Sequence, residues 1–141
     1  MDVIYLDFAK AFDKLDHGIT LNKLKSLGIN GPLGQWIATF LTNRTQSVVI
    51  DGQQSSPRPV ISGVPQGSVL GPLLFLVLIG DIDKDVAEAF LSSFADDTRV
   101  GRGIVTANDT TKLQADLNTI YNWSVNNNRM FNSDKFGTLY Q

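Results

Sequence analysis

Cysteine is absent from the 141-residue chain, which excludes a disulfide framework and any thiolate zinc site. Histidine occurs once, at His17, so the chain offers no set of ligands suited to zinc. A basic excess is also missing, because twelve Lys and Arg stand against fourteen Asp and Glu. Proteins that bind nucleic acid usually carry a basic footprint, so this balance argues mildly against such a partner. The objection weakens if Asp7, Asp96 and Asp97 hold metal ions. With those three set aside, twelve basic residues face eleven acidic ones, and most phosphate-binding surface would lie outside this chain. No long apolar run is present. The longest, Val69 to Gly80, contains Pro72 and falls short of the roughly 20 residues that span a bilayer. No basic leader precedes Asp2, so no signal peptide and no membrane partner are expected. The expected location is intracellular, with nucleus or cytoplasm open. Internal repeats and low-complexity segments are absent too. A hydrophobic content of 43% with 18% charged residues excludes a disordered chain and leaves room for one domain with a core.

Val3 to Phe8 (VIYLDF) is β-branched and aromatic, and reads as a buried strand. It begins two residues after Met1, so an upstream segment is expected to be missing. Leu21, Leu24 and Leu27 recur at helical spacing before Gly28, a plausible C′ residue. Leu33, Trp36, Ile37, Phe40 and Leu41 give the face of a second helix, with Pro32 near its first turn. Ser47 to Ile50 and Arg58 to Ile61 read as short strands around the turn signal Asp51-Gly52. Pro72 to Ile82 is apolar nearly all round and predicts a buried helix, with Gly80 inside it. Phe90 to Phe94 and Thr98 to Val100 form a hairpin with Asp96 and Asp97 at its tip. Leu113, Leu117, Ile120, Tyr121 and Val125 define another amphipathic helix, capped by Asn108 or Asp109 and ending at Asn126 to Asn128. A last strand pair is expected at Arg129 to Phe131 and Gly137 to Tyr140. This order lacks the regular alternation of a doubly wound sheet. An α+β fold fits better: an antiparallel, ferredoxin-like sheet with helices packed on one face.

Asp7 falls at the end of the first strand, and Asp96-Asp97 at a hairpin tip. If these elements are neighbours, three carboxylates converge, and a cation must compensate them. Oxygen-only ligands favour Mg²⁺, with Mn²⁺ possible. Successive strand side chains point to opposite faces, so Asp96 and Asp97 are not equivalent. Asp96 is expected to bind metal directly and Asp97 more weakly. A pair of ions held by carboxylates suits phosphoryl transfer. The segment Ser62 to Pro72 carries three Gly and two Pro and opens a helix, as a loop that approaches a ligand would. On these residues alone, a surface turn explains the Asp pair better, and a plain loop explains the Gly-rich segment at least as well.

Three stretches bear a resemblance that decides between these readings. Leu6 to His17 (LDFAKAFDKLDH), Ser62 to Phe75 (SGVPQGSVLGPLLF) and Phe94 to Thr98 (FADDT) resemble three successive motifs of reverse transcriptases. Their wording is similar to that of non-LTR (LINE-type) retrotransposons, including Phe94 before Ala95-Asp96-Asp97 and Arg44 to Val48 (RTQSV) between the motifs. The resemblance implies a polymerase palm that adds deoxynucleoside triphosphates to a DNA primer on an RNA template, using two Mg²⁺ ions. It implies that Asp7, Asp96 and Asp97 are the metal-binding carboxylates and that the Phe8 carbonyl is a further ligand. It implies that Phe12 is a steric gate beneath the incoming sugar, that Gln66 and Gly67 lie near the nascent base pair, and that Lys135 protonates the leaving pyrophosphate. It further implies that residues 1–141 are a single incomplete palm domain, with fingers motifs upstream and a thumb downstream. Leu78 and Gly80 depart from the family wording, where Tyr and Asn are usual.

Other residues invite plainer readings. His17 is expected to be a structural turn residue, Asp13 and Asp16 capping or solvated, and Trp36 and Trp123 core. Arg99 and Arg102 could touch a nucleic-acid backbone or be solvated. Two competing functions stand beside the polymerase: a non-catalytic transposon relic or domesticated protein-binding module, and an RNA-directed RNA polymerase palm. Phe12 and the Ala before the two Asp argue against the last. Oligomeric state is not legible.

Overall fold

The computed structural model describes residues 1–94, 97–132 and 137–140. Two of the expected site residues, Asp96 and Lys135, lie outside them. The first strand, β1 (Asp2–Asp7), leads into helices α1 (His17–Ser26) and α2 (Gly31–Leu41). Four short strands follow: β2 (Arg44–Gln46), β3 (Val49–Ile50), β4 (Gln53–Gln54) and β5 (Arg58–Val60). The chain continues through α3 (Leu70–Ile79), β6 (Phe90–Phe94), β7 (Asp97–Arg102), α4 (Ala107–Asn126) and β8 (Gly137–Tyr140). The main sheet has the order β6-β7-β1-β8, and every neighbouring pair in it is antiparallel. With α3 and α4 as crossovers, the fold is α+β.

One sheet face is apolar and covered. Leu6, Phe8 and Val100 are buried together with Leu74, Phe75 and Leu78 of α3 and Leu113 and Ile120 of α4. The alternation of β1 and β7 is what turns these side chains to one side. Leu24 of α1 and Ile37 and Leu41 of α2 extend the same core. Among the described residues, no helix is long and apolar enough to cross a membrane.

Several sequence expectations are corrected. The segment 44–61 is a bent ribbon, in which β2 pairs with β5 and β3 with β4. Asp51 and Gly52 turn it with φ of 48° and 78°, as a two-residue hairpin turn requires. Helix α3 is not buried all round, because Leu73 and Leu76 are more than half exposed. Gly80 is its C-cap residue rather than an interior one, so the helix-interior cost does not arise. Trp36 is 56% exposed and stacks on Phe40. It lines an apolar groove of about 850 Å³ with Leu33, Leu73 and Leu76 instead of entering the core.

The cap of α4 is Thr106. Asp109 closes a reciprocal capping box with it from the third helical position. The buried stripe of α4 is Leu113, Asp116, Ile120 and Ser124, whereas Tyr121 and Val125 face outward. Asp116 can sit inside because it accepts the N–H groups of Ala87, Glu88 and Ala89 at 2.8–3.2 Å. Among the described residues, Arg129 to Phe131 does not pair with β8: Phe131 bridges to Phe8, and β8 pairs with β1.

Candidate active site

The β1–β7 ladder sets Asp7 directly opposite Asp97. Residues opposed in this way present their side chains to one face, with Cβ atoms about 4.5–5.5 Å apart. That face is the one turned away from the helices. Asp7 is buried, while Asp97 is exposed at the start of β7. Two rungs along the same ladder, Arg99 lies opposite Tyr5 with its guanidinium 5.2 Å from the ring centroid.

The end of β1 is stitched to the segment after α4. The Asp7 carbonyl accepts the Asn132 N–H at 2.8 Å, and the Ala9 N–H donates to the Met130 carbonyl at 2.9 Å. Phe8 and Phe131 stack at 4.7 Å between these two bonds. Phe8 is 2% exposed, so its ring belongs to the core and only its main chain is left for a ligand.

Phe12 is half-buried, with its ring 5.2 Å from that of Phe75. The turn holding it runs beside the loop that carries Gln66 and Gly67. The Gly63 N–H donates to the Leu15 carbonyl at 2.8 Å, and the Val64 N–H to the Phe12 carbonyl at 3.2 Å. Gln66 and Gly67 are exposed, and Gly67 has a φ of 76°. Gln66 lines a cavity of about 740 Å³ together with Asp13, Arg44, Gln46 and Ser62.

His17 is no turn residue. It opens α1, is 8% exposed, and places Nε2 2.7 Å from the Gly63 carbonyl oxygen. Asp16 caps α1 through the Ile19 N–H at 2.9 Å and accepts from Asn128 at 3.0 Å. Burial pushes the Asp16 carboxyl up, but these hydrogen bonds outweigh it and hold it below the usual range. Trp123 is partly buried against the core and donates to Asp81 at 2.8 Å, while Lys23 pairs with the same carboxylate. Arg102 is neither solvated nor free for a polynucleotide, because Glu88 and Asp109 hold it.

Arg129 escaped the sequence reading. It is 2% exposed, and its guanidinium lies 5.2 Å and 5.4 Å from the rings of Phe8 and Phe75. Among the described residues its three guanidinium nitrogens have no hydrogen-bond partner, and burial pushes its pKa down to about 10. The signal was weak: a lone Arg between Asn and Met looks like surface. Its exposed neighbour Met130 shows that the in–out order is reversed here.

A divalent ion tests the donor set. Asp7 and Asp97 supply hard oxygen donors from one face, which suits Mg²⁺ and not zinc. Among the described residues, no group of three His, Cys, Asp or Glu side chains could hold a metal. The described part of the candidate centre is therefore a carboxylate pair.

Comparison with known proteins adds a second line. The family model described as reverse transcriptase (RNA-dependent DNA polymerase) matches residues 3–140. The RNA-directed DNA polymerase from mobile element jockey of Drosophila melanogaster is 36% identical over 141 residues, covering 93% of this chain and 15% of that protein. The probable RNA-directed DNA polymerase from transposon BS of the same organism is 32% identical over 130 residues, covering 86% of this chain and 14% of its own length. The chain thus spans only about a seventh of these relatives. Among solved structures, apo telomerase of Candida tropicalis, truncated from its C-terminal domain, superposes with a TM-score of 0.72 at 13% identity. That match covers 98% of this chain and 30% of the telomerase chain, and it speaks for the fold alone.

Proposed function

Because the chain belongs to the reverse transcriptase family, we propose that it is the polymerase palm of an RNA-directed DNA polymerase of the non-LTR retrotransposon kind. The observation that carries this reading is Asp7 opposite Asp97 at one end of the sheet. The sheet order, with crossovers through α3 and α4, supports the ferredoxin-like form of the palm. Residues 1–141 are read as one palm portion, with fingers and thumb supplied by flanking sequence. The substrates are deoxynucleoside triphosphates, a DNA primer and an RNA template.

Asp7, Asp96 and Asp97, with the Phe8 carbonyl, would hold two Mg²⁺ ions. When bound, those ions lower the pKa of the primer hydroxyl and offset charge on the leaving pyrophosphate. The chain's own residues arrange the rest. The Asn132 and Met130 backbone bonds fix the end of β1 and so keep the Asp7 carboxylate in place. Phe12, braced on Phe75, bounds the sugar, and Gln66 and Gly67 bound the nascent pair. Lys135 is assigned the proton for pyrophosphate; it lies outside the described residues.

The test is primer extension of oligo(dT) on poly(rA). The purified 141-residue chain is expected to make little product, because fingers and thumb supply most nucleic-acid contact. A form restored to full length is expected to extend the primer. Its Asp96→Asn variant should lose about a thousandfold in rate, near 4 kcal/mol of transition-state stabilisation. Unchanged extension by that variant would sink the metal assignment. A non-catalytic relic is the second reading, favoured by one observation: a guanidinium buried beside Phe8 with no hydrogen-bond partner among the described residues.

A further inference from the structure

We propose that His17 is a positioning residue that fixes the gap between the Phe12 turn and the Gln66 loop, and thereby sets how strictly the site selects a deoxyribose. The inference rests on the polymerase reading above. Residues 12–17 and 62–64 are about fifty positions apart in sequence yet are tied at four points. Two are the backbone bonds from Gly63 to Leu15 and from Val64 to Phe12. A third is the Ser62 hydroxyl, which donates to the Asp13 carbonyl at 2.9 Å. The fourth is the buried bond of His17 Nε2, 2.7 Å from the Gly63 carbonyl oxygen.

The two backbones are in close contact. A Cβ on Gly63 would lie 2.6 Å from the Asp13 carbonyl oxygen, closer than real atoms approach. No side chain can therefore act as a spacer at that point, and the separation is left to the hydrogen bonds. His17 is well placed to control it. Its ring opens a capped helix, and Asp16 anchors that helix start through Ile19 and Asn128. An imidazole on a fixed helix end has little freedom, so its bond to Gly63 transmits position. Phe12 lies at one end of this junction, and Gln66 two residues past Val64 at the other. A latch that loosened would let the two walls part. A wall that yields can no longer reject one extra hydroxyl on the sugar.

Two measurements test this. In the 141-residue chain, hydrogen exchange at the Gly63 and Val64 amides should quicken by about tenfold in His17→Phe, which keeps bulk but loses the donor. His17→Gln, which can still donate, should restore most of the protection. In the full-length form, the preference for dTTP over UTP in primer extension should fall about tenfold in His17→Phe and recover in His17→Gln. A purely structural role would lower melting temperature without moving that ratio. If His17→Phe does not fold, Ser62→Ala loosens the same junction from its exposed side and should lower the preference to a smaller extent. An unchanged dTTP-to-UTP ratio in the folded variants would overturn the inference and leave the polymerase reading intact. Absence of any product from the wild-type full-length form would overturn both.

Discussion

Asp7 and Asp97 are directly opposed in the β1–β7 ladder, on the sheet face turned away from α3 and α4. The register puts Asp97 on the same side of the sheet as Asp7. Two carboxylates so close would repel without a cation between them. Mn²⁺ titration of the 141-residue chain should therefore show binding. Either Asp7→Asn or Asp97→Asn should weaken it by at least about tenfold, one pKa-sized step of 1.4 kcal/mol. Paramagnetic broadening of β1 and β7 amides checks the location, and broadening elsewhere would contradict it.

Gly63 combines a φ of 83° with a closed space in front of it. Gly63→Ala should lower stability by about 2–4 kcal/mol, from left-handed strain and the contact with Asp13. Urea denaturation measures the loss. Gly67→Ala is the control. It shares the positive φ at 76°, but an added Cβ meets nothing within 4 Å, so its cost should be near 1 kcal/mol.

Arg129 is a buried cation with aromatic faces for company and, among the described residues, no acceptor. Replacing it with Met keeps the length and removes the charge. Arg129→Met should raise stability by about 1–3 kcal/mol, since the ring contacts recover only part of the desolvation cost. The sign with pH follows from its lowered pKa. Burial holds folded Arg129 at about 10, below the ordinary guanidinium value that the unfolded residue keeps. Between those values the unfolded state binds more protons, so this residue's contribution to stability improves as pH rises. The gap between Arg129→Met and wild type should be constant below about pH 10 and narrow above it. A gap that stays flat to pH 12 would contradict the assignment.

Asp116 clasps three successive N–H groups in the connection between α3 and β6. Asp116→Ala leaves them to water at best and should cost about 2 kcal/mol. Thermal unfolding measures that cost. Amide exchange should quicken first at Ala87 and Ala89. Loss of protection spread evenly over α4 would instead indicate helix failure.

The elements that sequence predicted well are those whose cause is local. The β-branched run at β1, the apolar periodicity of α1 and α2, and the Asp51-Gly52 turn all depend on near neighbours. The motif wording around Asp7, Gln66 and Asp97 also reads from the chain directly. Errors arose where a residue's surroundings come from far away. Trp36 has an apolar helix face with no described element to bury it, so it stays exposed. Asp116, on which the sequence is silent, is buried because a distant connection supplies its donors. The α4 cap is the local exception: it lies at Thr106 rather than Asn108 or Asp109, since the capping box assigns Asp109 to the third helical position.

By itself, then, the sequence determined which residues carry oxygen ligands, which segments are helical, and which family's motifs recur in order. It could not determine which carboxylates face one another, because that depends on strand register, and a one-residue slip reverses every side chain. The Asp7–Asp97 opposition, the His17 tie to Gly63 and the burial of Arg129 were decided by tertiary structure alone. Each joins residues at least 46 positions apart, and local propensity carries no information over that range.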